Sequence, residues 1–589
     1  MIHERSLIWK LLFFTIVVGY CLYYAPFGVN ETDGGFLTGL AWQVLNGKVL
    51  YHDIVYVRPP LPVWLRALEL QILPEQLAVL GERWFFYGKV ALYSWLGAAV
   101  LIQGERRWLM AVFGFVVSAH CYPPMAWHTV DGILFAVLAV FFASGSTAFR
   151  QSGNAPFMAQ HDSIRGVNAP FSDRLKAVLP IASASNWMAA GICLFCALLC
   201  KQSFYPLLPL FALFLFLEKE KRWRKMAWLF GGFILATALF FIYLSQKNIL
   251  SAFFQMTSGA ASGGQALQHG MLDYFRITPE LALPSILLLI PVAWWFWKGK
   301  NPRLALMAWS LWLLALVASY AAITWLRQAH TVPFAQSRAM FWVAGFWLFV
   351  PVLRLNTLRV STPITNHYST NHYSTNHYST NHLLLLLGIS WCASVSWGYN
   401  LPILFATPWV WAGMEVTRIL TQAVKPIRFL KPYRVGMLMV LLLSFRVGHE
   451  FVYRDGRRSE MQVPMGTIFP ALSGIYSDPE TAELYRDLKQ LAERYGPNFK
   501  TLPAFPQANF LTKTTPPLPL DWVVNRETNG DNTLIFKNLT VKQPVVFIQK
   551  SFGEKIESDP EMEVTRRIFQ SGKVVEETKF FWVIENYTL

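Results

Sequence analysis

The residues with the clearest chemical potential are carboxylates and cations that stand at the mouths of apolar segments. Glu31-Thr32-Asp33-Gly34-Gly35 is followed by Tyr51-His52-Asp53 and then by Arg58-Pro59-Pro60. Paired carboxylates at a membrane surface can bind a divalent cation through oxygen, or one of them can take a proton as general base. They can also do no more than solvate a loop. Further on, Trp127-His128-Thr129-Val130-Asp131 sets His128 and Asp131 three residues apart, on one face if the segment is helical. That pair could ligate a metal, orient an acceptor or cap the helix. Lys201, Arg327 and Arg338 lie at the ends of other apolar runs. Cations there can neutralise a lipid phosphate, Arg through bidentate hydrogen bonds, or can simply snorkel to the interface.

The elements that must carry these residues are membrane helices. Of the 589 residues 54% are hydrophobic and only 15% charged, and the mean hydropathy is +0.33, far from the balance of a soluble chain. The apolar residues fall into runs such as Leu11 to Ala25, Trp108 to Cys121, Gly132 to Phe149, Phe204 to Leu217, Met226 to Leu244 and Leu304 to Leu326. Many approach the ~20 residues needed to cross a hydrocarbon core, where the backbone must satisfy its own hydrogen bonds. The fold class is therefore a polytopic α-helical membrane protein. The net charge of +16 is concentrated in short basic loops such as Lys219 to Lys225 and Lys298 to Arg303. The positive-inside bias accounts for that charge without nucleic acid as a partner.

Sorting the runs by their flanking Lys and Arg gives about 13 transmembrane helices, with the N-terminus inside and the C-terminus outside. A membrane domain spans 1–450, with a long first outer loop at 26–83 and a low-complexity inner loop at 356–382. Within the latter, Asn-His-Tyr-Ser-Thr repeats three times from Asn366, a period that suits neither helix nor strand and reads as a disordered insertion. The span from Trp409 to Val424 carries Glu415 and Arg418 and is the least apolar. Cys193, Cys196 and Cys200 form a stripe of small packing residues on a helix, and no Cys follows Cys392, so the polar tail has no disulfide framework.

From 451 to 589 the composition predicts a small extracytoplasmic α/β domain of about 140 residues. Asp478 before Pro479 marks a helix start, Leu484, Leu488 and Leu491 mark its buried face, and Gly496-Pro497 its end. Strands are predicted at Thr533 to Phe536 and Val545 to Ile548, with Arg567 to Gln570 pairing with Lys579 to Ile584. The outer location suggests acceptor recognition.

The first loop resembles that of the GT-C superfamily of membrane glycosyltransferases, in the branch that holds protein O-mannosyltransferases and the aminoarabinose transferase of lipid A. The residues that carry the resemblance are Asp33-Gly34-Gly35-Phe36, then Ala41, Leu45, Gly47, Tyr51 and Asp53, then Arg58-Pro59-Pro60-Leu61. Gly191 to Gln202, ending Cys200-Lys201-Gln202, resembles a later helix of the family with a terminal Lys. The resemblance implies a polyprenyl-phosphate-linked sugar donor, an acceptor that is protein, lipid or glycan, inversion at the anomeric carbon, and a bacterial plasma membrane. It makes Asp33 the base and Glu31 its partner, although the family often has two adjacent acids where this chain has Asp33-Gly34. Arg58 and Lys201 would steady the donor phosphate, with Tyr51, Asp53, Arg327 and Arg338 as further substrate contacts. A magnesium or manganese ion held among Glu31, Asp33, His128 and Asp131 is left open.

Three other functions suit a polytopic chain. A lipid-linked sugar transporter would show internal repeats and broken helices at mid-membrane, which the sequence lacks. A glycan polymerase or ligase would hold its essential residues in late outer loops, here Arg327 to Arg338. A scaffold would bind partners through its outer domain and would be indifferent to Asp33.

Overall fold

The computed structural model describes residues 2–101, 106–121, 123–144, 171–217, 222–258, 380–395, 445, 448–453 and 455–589. Residues 366–379 of the pentapeptide repeat, Arg327, Arg338 and the span from Trp409 to Val424 lie outside the described residues, while Thr380 to His382 at the end of the repeat segment open a helix.

Within the described residues the expected apolar runs form helices, several of them extended at their N-terminal end, and the run Leu304 to Leu326 lies outside those residues. The helices are α1 (Ile2–Tyr23), α4 (Ala78–Leu101), α5 (Arg106–Cys121), α6 (His128–Ala143), α7 (Phe171–Cys200), α8 (Leu207–Leu217), α9 (Arg222–Gln246) and α11 (Thr380–Val395). A short helix α10 (Leu250–Thr257) follows α9. Among the described residues α9 is the one helix long and apolar enough to cross a membrane, and five shorter apolar stretches of 10–17 residues accompany it. Their outer faces are apolar. On α1, Leu7, Leu11, Phe14, Val18 and Leu22 are all more than half exposed, as are Ile234, Leu239 and Ile242 on α9. Stripes of that extent suit lipid rather than water.

Two glycines bring α7 and α9 into backbone contact. A Cβ on Gly191 would stand 2.0 Å from the carbonyl oxygen of Leu229, and one on Gly232 would stand 2.1 Å from that of Met188. Small residues at such a crossing allow the close packing that drives helix association in lipid.

The first outer loop is structured. It holds a 3₁₀ turn at Asp33–Gly35, which runs directly into α2 (Phe36–Leu45), and then α3 (Leu61–Ile72). Arg83 of α4 ties the loop's start to the bundle by donating to the carbonyls of Ala25 at 2.6 Å and Phe27 at 2.9 Å.

The tail is an α/β domain built on a four-stranded sheet. Its strands are β3 (Phe499–Leu502), β4 (Val545–Gln549), β5 (Lys573–Glu577) and β6 (Phe581–Glu585), in spatial order β3-β4-β6-β5. β3 and β4 are parallel and the other pairs antiparallel. A two-residue ladder, β1 (Val463–Pro464) with β2 (Tyr476–Ser477), precedes it. Helix α12 (Pro479–Tyr495) starts where the sequence places it, with the Asp478 side chain accepting from the Thr481 amide at 3.0 Å, and it buries Leu488 and Leu491. Short helices α13 (Ala508–Leu511) and α14 (Asn525–Thr528) follow.

Two strand assignments are corrected. Thr533 to Phe536 opens helix α15 (Thr533–Lys542), whose Ile535 and Leu539, four apart, share one buried face. Arg567 to Gln570 lies in α17 (Glu563–Ser571), which follows α16 (Gly553–Ser558), and buries Val564 and Ile568 at helical spacing. The strand that pairs with β6 begins only at Lys573.

Loop and tail interlock. Val55 N donates to Pro519 O at 3.0 Å, Trp42 Nε1 to Thr514 O at 3.0 Å, and Gln43 Nε2 to Asp521 Oδ2 at 2.7 Å. Gly39 of α2 lies so close to the tail that a Cβ there would stand 2.3 Å from Pro506 O.

The glycine crossing makes a paired prediction. Gly232→Ala should destabilise the membrane domain by about 1–3 kcal/mol through overpacking against a backbone carbonyl. Its neighbour Gly231, with nothing within 4 Å of an added Cβ, should gain up to ~1 kcal/mol from the same change, through helix propensity. Thermal unfolding of the two variants in detergent, compared with wild type, checks both signs.

Candidate active site

Asp33 is placed by a local turn. The Asn30 side-chain oxygen accepts from Thr32 N at 3.1 Å, Thr32 Oγ1 at 2.9 Å and Gly34 N at 3.3 Å, an Asx-type arrangement that bends the chain into the 3₁₀ turn. Gly35 then lies against Gln507 of the tail, where a Cβ would come within 2.7 Å of the Gln507 Cβ. Asp33 is only 4% exposed, and Tyr453 donates its hydroxyl to Asp33 Oδ2 at 3.0 Å. The two residues are 420 positions apart.

Arg58 is gripped from both domains. Its guanidinium forms a two-pronged pair with Glu527 of α14, one prong at 2.6 Å from Nη2 to Oε1 and the other from Nη1 to Oε2. Its charged end also sits 5.2 Å from the centre of the Phe36 ring, and its carbonyl accepts from Tyr51 Oη at 2.7 Å. Burial on its own would lower the Arg58 pKa. The charge and hydrogen bonds of Glu527, helped by Tyr56 and Asp33, hold it above the ordinary guanidinium value. Tyr51, itself buried with φ +68, therefore shapes the Arg58 segment.

Lys201 follows the last residue of α7 in extended conformation, and Gln202 beside it donates to Val57 O at 2.7 Å. That bond fixes Lys201 next to the Arg58 segment. Its ammonium makes no hydrogen bond or ion pair among the described residues. Burial and then the Arg58 charge lower its pKa to about 7, against the opposing pull of Glu527 and Asp33. Asp33, Arg58, Glu527 and Lys201 thus act on one another as a single cluster of charges.

His128 and Asp131 are both buried and committed elsewhere. His128 Nε2 is 2.7 Å from Tyr56 Oη. Asp131 does not cap α6, whose N-cap is Trp127 with no side-chain capping bond; instead Lys89 reaches Asp131 Oδ1 at 2.7 Å. Among the described residues no three His, Cys, Asp or Glu side chains form a group that could hold a metal ion. Of the donor set Glu31, Asp33, His128 and Asp131, His128 meets Tyr56 and Asp131 meets Lys89. Asp53 closes its own turn, accepting from Val49 N at 2.8 Å and pairing with His52 at 2.7 Å. Glu31 is half-buried beside Asp33.

Tyr453 also lines a cleft of about 480 Å³, its open mouth included, together with Asn30, Gly34, Gln507, Pro124 and Met125. Tyr453 and Glu527 are the two site residues that sequence reading missed. Each lies in a polar tail with no periodicity or motif to mark it, and only the fold brings it to the first loop.

No protein-family model matches the chain, and no curated protein matches it. Among solved structures it is similar to ArnT from Cupriavidus metallidurans in the apo state, at 14% identity over 98% of this chain and 97% of that one, with a TM-score of 0.39. It is also similar to the archaeal oligosaccharyltransferase AglB from Archaeoglobus fulgidus, in complex with an inhibitory peptide and a dolichol-phosphate. There the identity is 12% over 99% of this chain and 74% of that one, with a TM-score of 0.42.

The Arg58–Glu527 pair is open to a direct test. Glu527→Ala leaves a largely buried guanidinium uncompensated and should cost about 3–5 kcal/mol. Replacing both residues with apolar side chains of similar size should restore most of that loss. Denaturant or thermal unfolding of the two single variants and the double variant checks the cycle.

Proposed function

We propose that this chain is a multi-pass membrane glycosyltransferase of the GT-C kind. It moves a sugar from a polyprenyl-phosphate-linked donor to an acceptor hydroxyl at the outer face, with inversion. The observation that carries the reading is the charge cluster itself. A buried carboxylate, Asp33, oriented by Tyr453, shares a site with the ammonium of Lys201, which has no hydrogen bond or ion pair among the described residues.

Each part has a task in the transfer. Tyr453 donates to Asp33 Oδ2 and so orients the carboxylate. As the acceptor oxygen bonds to the anomeric carbon, its proton passes to Asp33. The bond from that carbon to the phosphate oxygen breaks, and its electron pair leaves with the polyprenyl phosphate. Lys201 meets the growing negative charge on that phosphate, usually the largest catalytic contribution. Arg58, held by Glu527, sets the positive potential of the wall behind it. The reading routes no step through a metal ion. It takes the donor from the outer leaflet, with the N-terminus cytoplasmic and the tail extracytoplasmic, and includes about 13 spans as the charge bias implies.

The test is turnover of a panel of polyprenyl-phosphate sugars by purified protein. Asp33→Asn should lower kcat by about 10²–10⁴-fold, the usual contribution of a general base. Equal turnover by wild type and variant would remove Asp33 from the chemistry.

Lys201 adds a pH signature. Because burial and Arg58 bring its pKa down to about 7, the ammonium is complete below that pH and is lost above it. Donor affinity should therefore fall as pH rises through about 7. In Lys201→Arg, which stays protonated, that fall should disappear. Donor binding measured from pH 6 to 9 on both proteins checks this.

A further inference from the structure

Five side chains of alternating charge, four buried and Lys89 half-buried, run from α6 to the helix that follows Asp33, and the transfer chemistry uses none of them. Asp131 of α6 meets Lys89 of α4 at 2.7 Å, and Lys89 meets Glu69 of α3 at 2.9 Å. Glu69 meets Arg66 of α3 at 3.3 Å, and Arg66 meets Glu82 of α4 at 2.7 Å. The chain ends on Thr38 of α2, whose hydroxyl accepts from Arg66 Nε at 3.0 Å and donates to Glu82 Oε2 at 3.1 Å. Glu82 spends its other oxygen on Ala126 N at 2.6 Å, in the second outer loop.

Buried ion pairs are weak contributors to stability, because desolvation offsets most of their attraction. Their directional bonds, in contrast, fix geometry. Here the geometry fixed is that of α2, which continues without a break from the turn that holds Asp33. Thr38 ties one side of α2 to α3 and α4, while its neighbour Gly39 presses the other side onto Pro506 of the tail. A slide or rotation of α2 would carry the Asp33 carboxylate with it.

We propose that Thr38, Arg66 and Glu82 are positioning residues that set the attitude of α2 and thereby aim Asp33. This rests on the glycosyltransferase reading, in which Asp33 is the base. Misplacing a reacting group by about 1 Å can cost on the order of 10²-fold in rate. Thr38→Val, which keeps the shape and removes both hydroxyl bonds, should therefore lower kcat by about 10–100-fold with the donor KM within about twofold of wild type. Thr38→Ser, which keeps the hydroxyl, should recover most of the rate.

The deciding measurement is the same substitution in the Asp33→Asn background. If Thr38 acts by aiming Asp33, Thr38→Val should change the residual turnover of Asp33→Asn by less than about twofold. An equal loss in both backgrounds, or no loss in the first, overturns the proposal while leaving Asp33 as base. Glu82→Gln, judged by the same two criteria, decides the matter if Thr38→Val does not fold. Wild-type protein that turns over no donor lipid would instead overturn the glycosyltransferase reading, and the positioning role with it.

Discussion

The site depends on the grip of the tail on the first outer loop, and the strongest element of that grip is the Arg58–Glu527 pair. A guanidinium and a carboxylate have been taken largely out of water to meet in fork geometry, with Glu527 2% exposed. Such a pair tolerates little displacement, since the loss of either partner strands a charge. Its neighbours share the constraint: Tyr453 on Asp33, Asp521 on Gln43, and Pro506 against Gly39. A loop of 58 residues in sequence, from 26 to 83, thus behaves as part of the tail's own packing. Lys201 is the contrast, a cation held in place by its backbone with its charge left available.

Charge balance explains why the same residue types end in such different roles. Asp131 and Glu69 are neutralised by a shared Lys89, and Glu82 by Arg66. These acids serve packing. Asp33, in contrast, accepts a hydrogen bond from the neutral phenol of Tyr453, which orients its carboxylate.

The parts of the structure legible in the sequence were those governed by local physics. Apolar runs forecast α1, α4 to α6, α8 and α9, and Asp478-Pro479 forecast the start of α12. Asp33 and Arg58 stood out as ionisable residues of the first outer loop and Lys201 as a cation at a helix end, and the charges of Arg58 and Asp33 both act on Lys201. His128 and Asp131 were correctly paired on one helical face but not correctly partnered, since Tyr56 and Lys89 lie in other segments. Thr533 to Phe536 read as a strand because a run of Leu, Ile and Phe suits either element, and only its burial against the sheet selects helix. Tyr453 and Glu527 left no local trace at all. A residue whose role is to meet a partner over 400 positions away carries that role in the fold alone.

That separation has a consequence for how the protein comes into being. Asp33 leaves the ribosome early, and Tyr453 and Glu527 follow 420 and 469 positions after Asp33 and Arg58 respectively. At ordinary rates of synthesis the interval is on the order of 20–90 s. Through that time the nascent loop holds its carboxylate and guanidinium with neither of these two partners, and the bundle is inserted before its site exists. On the glycosyltransferase reading, competence would arrive only as the last quarter of the chain emerges and closes over the loop.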